Sequence, residues 1–124
     1  MLLSLLGWFI SRRLRQPAIP AEAPRDPVGF LVRHGQTFPV YPGINSVGFL
    51  PDNDIVIDDD TVGRAHATLH YQGDGDVVLT DLNSLNGSYV NGNRIQRPTS
   101  IHDGDSITFG EWQALYQRAE QARR

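Results

Sequence analysis

Asp81-Leu82-Asn83-Ser84-Leu85-Asn86-Gly87-Ser88-Tyr89-Val90-Asn91-Gly92-Asn93-Arg94-Ile95 is the stretch that decides the fold. It carries two Asn-Gly pairs, Asn86-Gly87 and Asn91-Gly92, with the short apolar run Tyr89-Val90 between them. Asn-Gly supplies the two positive φ angles of the tightest hairpin turn, and Tyr89-Val90 and Arg94-Ile95 flank the second pair as strands. A helix cannot be written through such punctuation.

The same rhythm extends outward. Further candidate strands are Gly29–Arg33, Thr37–Tyr41, Asn45–Phe49, Ile55–Ile57, Ala67–Tyr71, Val77–Asp81, Ser106–Phe109 and Trp112–Tyr116. Pro42-Gly43, Gly73-Asp74-Gly75-Asp76 and Asp103-Gly104 mark turns between them. Many short strands with frequent turns predict an all-β sandwich or barrel. The folded domain is expected over residues 28–117. A polar tail, 118–124, follows, and the stretch Gln117–Arg124 has helix-forming composition.

Residues 1–27 are different. Met1-Leu2-Leu3-Ser4-Leu5-Leu6-Gly7-Trp8-Phe9-Ile10 precedes a basic stretch containing Arg12, Arg13 and Arg15, and Pro17, Pro20, Pro24 and Pro27 then mark a semi-extended linker. The apolar run is about half of what spans a bilayer as a helix. Its charges follow the apolar run, whereas a secretory signal carries them before it. As a helix it would set Leu2, Leu5, Leu6 and Phe9 on one face, a pattern suited to weak membrane association through residues 1–15. A helix docked on a partner and a disordered leader are the alternatives.

Composition excludes several function classes. The 124 residues suit one domain. No cysteine is present, so thiolate catalysis, disulfides and Cys-ligated zinc are excluded, and a reducing cytoplasmic setting is compatible. Four arginines against two acids leave residues 1–27 at +2, whereas seven against twelve leave the remainder at −5. An acidic body argues against nucleic acid as a partner. His66 and His70 flank a predicted strand, and four residues of strand span about 13 Å, too far to share one metal. Asp58-Asp59-Asp60 lacks the glycine and glutamate of a calcium loop. No glycine-rich loop leads into a helix. The reading is therefore not an enzyme, with no cofactor and no metal.

Four blocks fall in order: Val47-Gly48-Phe49-Leu50-Pro51-Asp52-Asn53-Asp54-Ile55-Val56-Ile57, Thr61-Val62-Gly63-Arg64-Ala65-His66-Ala67, the Asp81–Gly92 stretch, and Ile101–Gly110. Together they resemble the signature blocks of the forkhead-associated (FHA) domain. The resemblance covers about residues 28–117. It implies a two-sheet β-sandwich whose loops at one end bind phosphothreonine peptides.

The resemblance also implies roles. The family places an arginine after the glycine of its first block to grip phosphate; here Phe49 follows Gly48. Its second block supplies a serine, often a second basic residue, then a histidine; here these are Gly63, Arg64 and His66. Its third block supplies a serine or threonine before an asparagine that bonds peptide backbone; here Leu85 precedes Asn86. Phosphothreonine carries about −1.5 to −2 charges, and each hydrogen bond to a charged group is worth roughly 1.5–3 kcal/mol. Losing one arginine contact weakens binding about tenfold to a hundredfold.

The candidate phosphopeptide-binding residues are thus Arg64, Gly63, Ser84, Leu85, Asn86 and Phe49. Gly48, His66 and Gly87 are expected to be structural. Arg64 is either a phosphate ligand or a solvated loop arginine, with backbone N–H groups of Thr61–Arg64 as further ligands. Asn86 is either a peptide contact or half of a tight turn. Phe49 with Leu50 and Leu85 would form an apolar patch, suited to an unmodified protein partner. Two functions remain: a phosphothreonine adaptor with a reduced site, or a degenerate module binding an unphosphorylated partner, tethered at a membrane by its leader. Residues 1–36 hold no threonine, so this stretch cannot supply an internal phosphothreonine ligand. Oligomeric state stays open, since Phe49 and the leader each offer a self-association surface.

Overall fold

A computed structural model describes residues 25–73 and 75–120. The leader and most of the linker, residues 1–24, and the end of the tail, 121–124, lie outside the described residues.

Eleven strands follow in chain order: β1 Gly29–Arg33, β2 Gln36–Val40, β3 Gly43–Gly48, β4 Ile55–Val56, β5 Ala67–Tyr71, β6 Val77–Asp81, β7 Ser88–Val90, β8 Asn93–Arg94, β9 Thr99–Ile101, β10 Ser106–Phe109 and β11 Trp112–Arg118. They form two sheets, in the orders β2-β1-β11-β10-β7-β8 and β4-β3-β5-β6-β9. The pairings are antiparallel except β3 with β4. The all-β two-sheet sandwich read from the sequence is the fold.

Alternation explains the layering. In β11, Trp112, Ala114 and Tyr116 point inward while Gln113, Leu115 and Gln117 point out. Leu31, Ile107 and Phe109 join them from the first sheet; Val47, Ala67, Leu69, Val77, Leu79 and Ile101 meet them from the second. Phe109 stacks on Trp112, with ring centroids 6.2 Å apart, and meets the His66 ring edge-on at 5.5 Å. Tyr116 closes the far side, where burial pushes its phenol up to about 12. Gly29 lies against that ring: a Cβ there would sit 2.4 Å from the Tyr116 hydroxyl.

Two expectations are corrected. Gln117 and Arg118, the first two residues of the helix-forming stretch, are not helical, and residues 121–124 of it lie outside the described residues. The two continue β11, with Gln117 opposite Phe30 and Arg118 opposite Gly29, and Ala119 N–H then donates to the Val28 carbonyl at 3.0 Å. Pairing with β1, an interior strand of the sheet, outweighs helix-forming composition at these two residues. Thr99–Ile101, unread as a strand, is β9. It pairs only with β6 and buries only Ile101, so its sequence shows no run of alternation.

The register gathers one set of loops. Val47 lies opposite Ala67, and Ala67 opposite Asp81. The end of β3, the start of β5 and the end of β6 are therefore at one end of the sandwich. Ser88 opposite Phe109 brings the start of β7 and the end of β10 there too.

Candidate functional site

Three loops make that end: 49–54 between β3 and β4, 57–66 between β4 and β5, and 82–87 between β6 and β7. Gly48 is the pivot of the first two. A Cβ there would lie 2.2 Å from the Arg64 carbonyl oxygen and 2.7 Å from Asn53 Nδ2, so only glycine allows this approach. Phe49 N–H donates to the Gly63 carbonyl at 2.9 Å, and Asn53 Nδ2 donates to the Arg64 carbonyl at 2.8 Å. Phe49 and Leu50 are each 39% exposed. Phe49 thus does not fold wholly into the core.

The 57–66 loop is tied down from within. Thr61 N–H and hydroxyl both donate to Asp59 Oδ1, and Val62 N–H to the Asp59 carbonyl. These Thr61 bonds, side chain first, hold the Asp59 carboxyl below the usual carboxylate range despite a small opposing effect of burial; Arg33 adds to them. Val62 is buried. Gly63 N–H donates to His66 Nδ1 at 2.9 Å. The His66 proton therefore sits on Nε2, which donates to the Gly87 carbonyl at 2.9 Å. His66 is fully buried and links loop 57–66 to loop 82–87.

With these bonds, the N–H groups of Thr61, Val62 and Gly63 are all engaged inside the protein. Arg64 N–H is not, and the Arg64 side chain is exposed. Its guanidinium makes no hydrogen bond or ion pair with another described residue.

Loop 82–87 is folded around Asp81. Ser84 N–H donates to Asp81 Oδ2 at 2.9 Å, and the Ser84 and Ser88 hydroxyls donate to Oδ1 at 2.7 and 2.6 Å. Burial opposes the Asp81 charge, but the bonds from Ser88 and Ser84 outweigh it and hold the carboxyl below its usual range. Ser84 Oγ in turn accepts Gly87 N–H at 2.9 Å. Ser84 is thus a brace of the loop. Positive φ falls on Asn83 (59°) and Gly87 (89°), not on Asn86.

Asn86 instead uses its amide: Nδ2 donates to the Thr61 carbonyl at 2.8 Å, stitching loop 82–87 to loop 57–66. The stitch is reinforced at Gly110, whose N–H donates to the Gly87 carbonyl, and at Glu111, whose N–H donates to Thr61 Oγ1. Leu85, which precedes Asn86 in this loop, is 90% exposed.

Gly48, Phe49, Gly63, Arg64, His66, Ser84, Leu85, Asn86 and Gly87 therefore converge on one end of the sandwich. Asp59, Thr61, Asp81 and Gly110 belong with them and were not read from the sequence. The short Asp-to-hydroxyl spacings at 59–61 and 81–84 were the available signal, since such pairs form side-chain turns. No group of three potential metal ligands occurs among the described residues.

A β-sandwich that braces its loops so heavily, and leaves a cation, an amide and apolar side chains exposed among them, is built as a recognition module. The chain belongs to the FHA-domain family, whose model matches residues 45–110. The transcriptional regulatory protein EmbR of Mycobacterium tuberculosis is 34% identical over 86 residues, which is 69% of this chain and 22% of EmbR. The glycogen accumulation regulator GarA of Mycolicibacterium smegmatis is 37% identical over 71 residues, 57% of this chain and 44% of GarA. The chain thus spans less than half of either relative.

Solved structures agree. M. tuberculosis EmbR in complex with a low-affinity phosphopeptide superposes with a TM-score of 0.69 at 33% identity, covering 75% of this chain and 25% of that one. The FhaA FHA domain complexed with the intracellular domain of Rv3910 gives 0.65 at 29%, covering 72% and 97%.

Proposed function

We propose that this chain is a non-catalytic interaction module that docks a phosphothreonine-bearing segment of a partner protein across the Phe49–Asn86 end of the sandwich. Arg64 carries the reading. Among the described residues its guanidinium has no partner, and its own N–H is free at the end of a run, Thr61–Gly63, whose N–H groups are internally satisfied. Such a loop needs little reordering to meet a ligand, which keeps the cost of binding low. An arginine fork fits two phosphate oxygens at once. Asn86 stands beside it to meet peptide backbone. With Phe49 and Gly63 in place of an arginine and a serine, one arginine meets the phosphate where the family uses more, so the affinity is modest.

A second reading has its own support in the exposure of Phe49, Leu50 and Leu85. These suit an apolar anchor from an unmodified partner. A titration of the full chain against a degenerate peptide library centred on phosphothreonine, beside the same library with threonine, separates the two. Binding only to the phosphorylated library supports the first reading. Equal binding to both transfers the function to the apolar side chains.

We place the module in the cytoplasm, with residues 1–15 adding weak affinity for anionic membrane surfaces. The apolar–basic pattern of that stretch supports this. Among the described residues no helix is long and apolar enough to cross a membrane. Co-sedimentation with anionic vesicles that survives deletion of residues 1–15 unchanged counts against the leader's role.

A further inference from the structure

The arginines of the described residues divide into two groups. Arg25 lies over the Tyr41 ring, Arg33 donates to the Gln113 carbonyl and lies over Trp112, and Arg118 faces Asp76. Arg64, Arg94 and Arg97 make no ion pair or guanidinium hydrogen bond with another described residue. Carboxylates are plentiful in a body of net charge −5, yet these three guanidinium groups have no carboxylate, carbonyl or ring partner among the described residues.

Arg94 and Arg97 share a cavity of about 520 Å³. It opens between loop 82–87 and the segment after β8, and Asp81, Asn83, Ser84 and Gln96 also line it. Arg94 is held in place there. It stands opposite Tyr89 in the β7–β8 pairing, and its Nε lies 2.6 Å from where a Gly87 Cβ would be. The positive φ of Gly87 and its missing side chain leave room for the guanidinium. Loop 82–87 therefore touches Arg94 through Gly87 and the Arg64-bearing loop through Asn86.

The one acid in the cavity wall, Asp81, already accepts three hydrogen bonds from Ser84 and Ser88. Arg94 and Arg97 thus share the cavity wall with one carboxylate, and that carboxylate is already satisfied. Polyanions are repelled by the acidic body, which leaves a single anionic side chain as the fitting occupant. We infer that this cavity receives a second anionic group of the docked partner, a carboxylate or phosphoryl side chain a few residues from the phosphothreonine. The inference rests on the phosphothreonine reading above and extends it to a two-anion motif.

The test is calorimetric titration of the full chain with degenerate phosphothreonine peptides. Glutamate in one set, and phosphoserine in another, is fixed at each of six positions on either side. An extended chain advances about 3.3–3.6 Å per residue, so the series reaches about 20 Å each way. The expected result is a gain of about tenfold at one or two spacings. That gain disappears in Arg97→Gln and in Arg94→Gln, while Arg97→Gln keeps the affinity of the singly phosphorylated library. The two sets show whether carboxylate or phosphate is preferred. If no spacing gives a gain, or the gain survives Arg97→Gln, the second site is wrong and the phosphothreonine reading stands. If phosphorylated and unmodified libraries bind alike, both fall.

Discussion

At the scale of single residues, the recognition end depends on what is missing as much as on what is present. Gly48 lacks a Cβ so that the Arg64 carbonyl can approach, and the obstructing atom is backbone, which cannot swing aside. Gly48→Ala is expected to lower stability by about 1–3 kcal/mol, read as an earlier midpoint in urea unfolding. Phe49, next along, is the position where the family's phosphate-gripping arginine would stand. Phe49→Arg is expected to raise affinity for phosphothreonine peptides about tenfold and to leave binding of the unmodified peptides unchanged, by fluorescence anisotropy. The types of these residues were legible in the sequence, because Gly48-Phe49 and Gly63-Arg64 are neighbours within short motifs. The role of Thr61 was not. Its carbonyl accepts from Asn86, 25 positions away, and its hydroxyl accepts from Glu111, 50 positions away. No local pattern encodes contacts of that span.

At the scale of elements, hairpins and braced loops behave differently. The Asn91-Gly92 turn was legible because both its residues must adopt positive φ, and they do, at 51° and 85°. The Asn91 side chain adds its own register pin, accepting Ser106 N–H at 2.9 Å and donating to Asp105 at 3.0 Å. Gly92→Ala forces an L side chain into the left-handed region and is expected to cost about 1–2 kcal/mol in the same urea assay. Strand β9 was illegible for the opposite reason: an edge strand with one buried side chain has no alternation to read. Loop 82–87 is an electrostatic element. Asp81 is held charged by hydrogen bonds that the unfolded chain lacks, so its folded pKa is depressed. Its contribution is complete at neutral pH and is lost as the pH falls below the ordinary value of 3.8. Asp81→Asn is expected to cost about 1–2 kcal/mol at pH 7, modest for charged hydrogen bonds because the site is partly solvated. The gap from the parent should narrow below pH 4 in acid-unfolding curves, since protonated Asp81 resembles the amide.

At the scale of the whole molecule, the two-sheet sandwich gathers the candidate site at one end. The buried His66 ring and the Asn86 stitch join loops 57–66 and 82–87, the Asp81 brace shapes the latter, and the Phe49 and Asn53 bonds add loop 49–54, all before any ligand arrives. The β-sandwich class was readable from turn spacing, and the motif resemblance supplied the family. What neither supplied was the state of the cations, which depends on where carboxylates end up after folding. The central claim is that Arg64 is the side chain that reads the phosphothreonine charge, with Phe49 and Gly63 at the positions where the family resemblance implies further ligands. The most direct test is calorimetric titration of the full chain and of Arg64→Ala with the phosphothreonine peptides selected from the library. The account predicts that Arg64→Ala weakens phosphopeptide binding at least about tenfold while urea unfolding is unchanged, because an exposed, unpaired arginine contributes little to the fold. Equal affinity in the two proteins would contradict it and move the phosphate to another part of the surface.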